Sequence, residues 1–417
     1  MLAKIIILLT IFTTSAAAQV SIFDTREIST IYRAKVQPRF EQSNFRAVIV
    51  GDSQTTTSWA GRITSHYHAW DGPFVGEFIS SGHSAGGVMV NNVGFSDIIY
   101  RAIDPDNNWS DGGPQDHFSR GSSEWEMLGD INRPGSFFGR YRLNFSASNT
   151  DAPWSYNWVE NEDLVFRVAI RSGPNSVPAI EIRPDRGTIG SGTVFEIDST
   201  PGIQIFEIDV PASLNPTNTQ VGGTLSLPNG YIEENGQMLQ VLGAYVGLKG
   251  DPNGLVIGYQ GDSGWNLLRH IDFISQESRI RLVEMLNLNS MIMVQGHNRE
   301  WDNQPIFPVR VAEVMSLWDN AFASAGYAQP KWVLVEPWRI QEGNWDTYGD
   351  IVENGLSMIA QFNRRAVHVR YGDLFNNLRP DEFDPIRYQL DTGLVHPGNV
   401  PTARALSEDL ETLIFGN

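Results

Sequence analysis

The sequence predicts an α/β domain interrupted by a β-sandwich, and three observations carry that prediction. Short continuous apolar runs alternate with helix-period segments near residue 47 and again after residue 255, the pattern of parallel strands covered by helices. Between them, from about Asp104 to Gly250, the chain reads as short β-rich runs punctuated by Gly, Pro, Asn and Asp. The 41% hydrophobic content, with 12 Trp and 21 Phe, is enough to build real cores and excludes a disordered chain.

Taken in order, residues 1–20 combine Lys4, an apolar run over 5–12 and Ala16-Ala17-Ala18. This is the pattern of a secretory signal cleaved before Gln19, so residues 1–18 are expected to be a signal peptide and the protein to be secreted or periplasmic. The apolar run is about eight residues, short of the ~20 that cross a bilayer, and no later window approaches that length, so no membrane span is expected. With 48 Asp+Glu against 30 Lys+Arg, the formal charge is −18, which repels phosphate backbones and excludes nucleic acid as the expected partner. The absence of Cys removes disulfides, zinc–thiolate sites and thiol nucleophiles together.

Residues 19–100 are read as the first part of the α/β domain. Ala47-Val48-Ile49-Val50 is a strand buried on both faces, and Trp59, Ile63, Tyr67 and Trp70 then recur at helical spacing. Residues 101–250 are read as the inserted sandwich, on runs such as Leu164-Val165-Phe166-Arg167-Val168-Ala169-Ile170 and Gly202-Ile203-Gln204-Ile205-Phe206-Glu207-Ile208. Residues 251–417 resume the first pattern. Strands are expected at 255–257, 291–294, 332–335 and 367–369, with helices through Leu267 and Ile271 and over 279–286, 309–325, 351–365 and 401–415.

A nucleophilic Ser needs a sharp turn at the end of a parallel strand, where the next helix favours negative charge. Gly51-Asp52-Ser53-Gln54 holds that place after the 47–50 strand. Alone the tripeptide is weak, because Gly, Asp and Ser crowd turns in general. Three further pieces follow in order: Gly258-Tyr259-Gln260-Gly261-Asp262-Ser263, Gly296-His297-Asn298, and Asp391-Thr392-Gly393-Leu394-Val395-His396-Pro397 before the last helix.

With those pieces the sequence resembles the SGNH (GDSL-type) hydrolase superfamily over residues 45–100 and 251–417. The resemblance implies a flavodoxin-like three-layer α/β/α sandwich. It also implies a jelly-roll-like β domain between the first and second motifs, similar to carbohydrate-binding modules in O-acetylesterases of polysaccharides or peptidoglycan. In it Ser53 is the nucleophile, and Gly261 and Asn298 join the Ser53 backbone N–H as oxyanion donors. His396 is the general base, and the late acid that orients it is assigned to Asp391. No cofactor and no metal enter that chemistry; the partner is an acylated polysaccharide or another ester. The roles have physical grounds: acyl transfer puts negative charge on the carbonyl oxygen, which aimed N–H donors stabilise, and the base must titrate near neutral pH. His297, inside the Asn298 motif, and Trp301, in the polar loop after it, are candidate substrate contacts.

Two departures matter. The family places its Asp three residues before the His, where this chain has Gly393; the nearest acid is Asp391, five before. Either a longer loop brings Asp391 to the imidazole, or Ser53 and His396 act as a dyad. The Asn298 motif continues as Arg299-Glu300 where an Asp is common, which changes what holds the Asn.

Competing patterns are weaker. Gly82-His83-Ser84-Ala85-Gly86 satisfies a nucleophile elbow, but no His-Gly-Gly segment or set of strands precedes it. Gly82 is also the alternative oxyanion donor; Gly261 is preferred because one helix-containing crossover separates it from Asn298. Ser263 lacks a following middle motif, since no Gly occurs between Arg269 and Gln295. His66 and His68 face different ways on a helix, and His368, in a strand-like run, reads as a core histidine. Asp104 and Asp106 have calcium-loop spacing, but Trp109 replaces the required Gly. The resemblance thus implies a serine esterase removing O-acetyl groups from a polysaccharide. A lipase-like or aryl esterase of the same fold, and a catalytically degenerate carbohydrate binder, are the alternatives.

Overall fold

The computed structural model describes residues 40–52, 75–80, 98–102, 125–129, 137–144, 159–174, 176–217, 220–226, 228, 240–261, 266–272, 274–296, 298, 306–339, 345–391 and 396–416. The strands in chain order are β1 (Phe45–Gly51), β2 (Gly76–Ser80), β3 (Ile98–Ala102), β4 (Trp125–Gly129), β5 (Phe137–Asn144), β6 (Leu164–Ser172), β7 (Ala179–Asp185), β8 (Thr193–Glu196), β9 (Gly202–Val210), β10 (Gln220–Ser226), β11 (Gln240–Leu248), β12 (Leu255–Gly261), β13 (Ser290–Val294), β14 (Lys331–Glu336) and β15 (Ala366–Arg370). The α-helices are α1 (Leu267–Asp272), α2 (Gln276–Leu286), α3 (Phe307–Ser324), α4 (Trp345–Phe362), α5 (Tyr371–Leu374), α6 (Pro380–Phe383) and α7 (Val400–Phe415). Among the described residues no helix is long and apolar enough to cross a membrane.

Five strands form a parallel sheet in the order β12-β1-β13-β14-β15. Alternate side chains of each strand enter opposite cores, as a period of two requires. Val48, Val50, Met291, Met293 and Leu334 pack against residues of α1 to α4, such as Leu267, Leu282, Val311 and Val352. Ala47, Ile49, Ile292, Val335 and Val369 pack against Tyr371 of α5 and Leu406 and Leu410 of α7. All seven residues of β1 are buried, Arg46 included, which is why residues 47–50 read as a continuous apolar run.

The helices carry their own boundaries. Ser275 caps α2 by accepting from the Ser278 N–H at 3.0 Å, and Asn287, at φ 51°, closes it in the left-handed conformation. Asn399 caps α7 through the Thr402 N–H at 2.9 Å, Pro401 sits in its first turn, and Gly416 ends it at φ 75°.

Two four-stranded antiparallel sheets, β5-β10-β7-β8 and β2-β11-β6-β9, and a β3-β4 pair make up the rest of the strands. Phe166, Val168 and Ile170 of β6, Ala244 and Val246 of β11, Ile180 and Ile182 of β7 and Val221 and Leu225 of β10 share one core. The opposite face of β6 and its neighbours is also covered: Val165, Ala169, Ile203 and Tyr245 lie in the core that contains α2 and α3. β2, although it falls within the expected first α/β segment, pairs antiparallel with β11 and belongs to this second sheet.

The antiparallel and parallel sheets are stitched together. The Val75 N–H donates to Leu255 O of β12 at 3.1 Å, while Val75 O accepts from the Leu248 N–H of β11 at 2.8 Å. Buried Arg46 donates through Nε to Leu286 O at 2.8 Å and through Nη2 to the Tyr245 hydroxyl at 3.1 Å. Residues 1–39, the segment from Trp59 to Trp70 expected to be helical, His66, His68, Ser84, Asp104, Asp106, Ser263 and the expected site residues Ser53, His297 and Trp301 lie outside the described residues.

Candidate active site

The strand order sets where a ligand can approach. From β1 the chain passes to β12 on one side and then crosses to β13 on the other, so the carboxyl ends of β1 and β13 flank a topological switch point, where open parallel sheets form their crevices. β1 ends at Gly51, followed by fully buried Asp52 and then Ser53. Gly261 ends β12 and stands opposite Gly51 in the ladder. Asn298 follows β13 through Gly296, whose φ of 142° disfavours any side chain; a Cβ there would also meet Val352 at 3.0 Å. Three of the expected site segments therefore converge on neighbouring strand ends.

His396 comes from a loop ahead of α7, and its partner is Asp391. Asp391 Oδ2 lies 2.8 Å from His396 Nδ1, and Asp391 Oδ1 accepts from the His396 backbone N–H at 3.3 Å. The backbone explains how acid and base five residues apart can meet. Leu390 and Pro397 form an antiparallel bridge, the Asp391 N–H donates to His396 O at 2.8 Å, and the Gly398 N–H donates to Gln389 O at 2.6 Å, so the segment closes like a hairpin. Gly398 permits this approach, since a Cβ there would sit 2.7 Å from Leu390 O. Gln389 in turn is fixed to α7, its N–H donating to Thr402 Oγ1 at 2.8 Å. With Nδ1–H directed at a carboxylate, Nε2 is the basic nitrogen of the ring.

The sequence reading missed a buried group beneath the switch point. His270 of α1 is buried, its Nε2 lying 2.9 Å from Gly51 O and 3.0 Å from the side-chain amide of Gln295. Burial, joined by the nearby Arg279 cation, lowers its pKa from 6.5 to about 3, against the raising effect of the Gly51 contact. The available signal was a polar residue three positions after Leu267 on a face that must be buried. His368, read as a core histidine, is buried on β15, 3.4 Å from Glu336. Among the described residues no group of three or more His, Cys, Asp or Glu is placed to hold a metal ion.

No protein-family model matches the chain, and no curated protein sequence matches it. Solved structures do. A peptidoglycan O-acetylesterase matches at TM-score 0.51 and 10% identity, over 94% of this chain and 96% of the other. A carbohydrate acetylesterase from Sinorhizobium meliloti matches at TM-score 0.24 and 15% identity, over 39% of this chain and 81% of the other. A family 3 carbohydrate esterase from Clostridium thermocellum matches at TM-score 0.28 and 12% identity, over 38% and 78%. The chain therefore shares the fold of the peptidoglycan O-acetylesterase over nearly the full length of both.

Proposed function

We propose that this protein is an exported serine esterase that removes O-acetyl groups from a polysaccharide. The observation that carries the proposal is the Asp391–His396 pair, 2.8 Å apart, in a chain whose Gly51-Asp52-Ser53 and Gly296–Asn298 turns leave adjacent strand ends at the switch point. The full-length fold match to a peptidoglycan O-acetylesterase supports the substrate class, and the signal-like residues 1–18 support export.

In this reading Ser53 Oγ attacks the acetyl carbonyl and its proton passes to His396 Nε2. Asp391 holds the ring with Nδ1 protonated and stabilises the imidazolium that forms. Negative charge on the carbonyl oxygen is met by the backbone N–H groups of Ser53 and Gly261 and by the Asn298 amide. Collapse releases the sugar hydroxyl, which takes the proton from His396. Water then attacks the acetyl-enzyme by the same route and frees acetate. Residues 101–250 add reach along the polymer, with His297 and Trp301 as contacts at the pocket edge.

Ser53→Ala and His396→Ala are each expected to lower turnover of an acetyl ester by about 10⁴-fold or more without altering the folded state, and the double variant to lose little beyond either. Asp391→Asn should cost about 10⁴-fold if the triad operates, through the wrong tautomer of His396. The measurement is steady-state hydrolysis of p-nitrophenyl acetate and of acetylated glycans, with fluorophosphonate labelling of Ser53. Wild-type turnover in Ser53→Ala would sink the reading. Full turnover in Asp391→Asn would replace the triad by a dyad, and preference for long acyl chains would replace the deacetylase by a lipase.

A further inference from the structure

We propose that His270 is a positioning residue of this esterase site: one Nε2–H ties the end of β1 to the turn after β13 and sets the spacing between the nucleophile and Asn298 turns. The inference rests on the reading above, which places Ser53 two residues after Gly51 and Asn298 three after Gln295.

The ladder between β1 and β13 runs from Ala47 opposite Ser290 to Val50 opposite Met293. Among the described residues the pairing stops there, one residue short of Gly51, so the switch-point crevice opens where backbone pairing ends. His270 spans that opening, contacting Gly51 O at 2.9 Å and the Gln295 amide at 3.0 Å with the same nitrogen. Leucine at this position would leave Gly51 O and the Gln295 amide without the ring's hydrogen bonds. A buried imidazole instead supplies a rigid donor at a fixed distance from α1.

The proton count fixes the arrangement. A carbonyl oxygen only accepts, so Nε2 must carry the proton, and a protonated Nε2 cannot also accept from Gln295. Gln295 must present its amide oxygen, which a half-turn of the amide provides. Arg279 anchors the other side by donating from Nη2 to His270 O at 2.6 Å. The burial that lowers the ring's pKa keeps it neutral at the pH where His396 acts, so it holds the turns without competing as a base.

The test combines ¹⁵N-histidine NMR of the full chain with kinetics of His270→Gln, whose amide can reach the donor position, and His270→Met, which is apolar and of similar size. The expected spectrum shows His270 as the Nε2–H tautomer, without titration from about pH 5 to 9. His270→Met should lose about 10²-fold in kcat with KM nearly unchanged, whereas His270→Gln should recover most of that loss. Both variants should keep the acid limb of the kcat/KM profile, which belongs to His396. A titrating or Nδ1–H His270, or a folded His270→Met with wild-type kcat, overturns the proposal. Should His270→Met fail to fold, Gln295→Met asks the same kinetic question from the other turn, and the wild-type spectrum stands by itself. A wild type without Ser53-dependent activity overturns the esterase reading by an observation separate from the histidine variants.

Discussion

The parallel sheet β12-β1-β13-β14-β15 and the antiparallel sheet β2-β11-β6-β9 both bury two faces, but against different material. Helices cover the parallel sheet, and β13 is apolar from Met291 to Val294 and polar only at its ends, at Ser290 and then at Gln295 and Asn298. The antiparallel sheet meets a second sheet on one side and α2 on the other, and it carries charge in mid-strand. Arg167 of β6 pairs with Asp251 and Glu207 and donates to Met285 O at 3.0 Å. Burial works to lower the Arg167 pKa, yet its hydrogen bonds to Asp251 and Glu207 hold it above the ordinary value. The difference lies in where the polar groups sit: charges at the seam between sheets pair with one another, while at the ends of β1 and β13 Gly51 O and the Gln295 amide meet His270 at the switch point.

Removing the seam should have the largest effect. Deleting residues 101–250 takes Val165, Ala169, Ile203 and Tyr245 out of the core around α2, at roughly 1.5–3 kcal/mol for each large apolar side chain. It also leaves buried Arg46 without the Tyr245 hydroxyl. Against a total stability of about 5–15 kcal/mol, the shortened chain is expected to lose cooperative unfolding and its near-ultraviolet circular dichroism. A soluble deletion that melts cooperatively near the wild-type temperature would show the two sheets to be independent.

At the strand ends the effect should fall on chemistry instead. Asn298→Ala is expected to lower kcat by about 10²–10³-fold with little change in KM if, as proposed, its amide engages charge that develops in the transition state. The melting temperature should hardly move. A loss confined to KM would remove Asn298 from the oxyanion role and blur the contrast between the regions.

The smallest expected effect is an acid slope in stability. The unfolded chain protonates His270 below about pH 6.5, whereas folded His270 resists protonation down to about pH 3. Between those values the unfolded state binds more protons, so stability falls as pH falls, by up to about 1.4 kcal/mol per unit from this residue. His270→Gln should flatten that slope in urea midpoints compared at pH 7 and pH 5. Equal slopes in both proteins would mean that His270 takes up its proton in the folded state.

Much of the parallel half was legible because its signals are local. Buried strands such as Met291-Ile292-Met293-Val294 must be apolar throughout, and helices such as α3 repeat their apolar residues at Val311, Val314, Met315 and Trp318, so period and length distinguish them. The order of Gly261, Asn298 and His396 along the chain was read instead from the resemblance to the SGNH hydrolases. The β6 run was harder to read: Leu164 to Ile170 is apolar on both faces, and only the tertiary structure shows one face against β7 and β10 and the other against the α/β layer.

By itself, the sequence determined the alternation of strands and helices and the β-rich segment between them, because these depend on periodicity and on turn chemistry within a few positions. The tertiary structure decided that Asp391 reaches His396, through a hairpin that Gly398 allows to close, and that His270 lies beneath Gly51 although 219 residues separate them. Both are contacts set by how distant backbone segments pack, and local periodicity does not encode the distance between a strand end and a helix that returns to it much later in the chain.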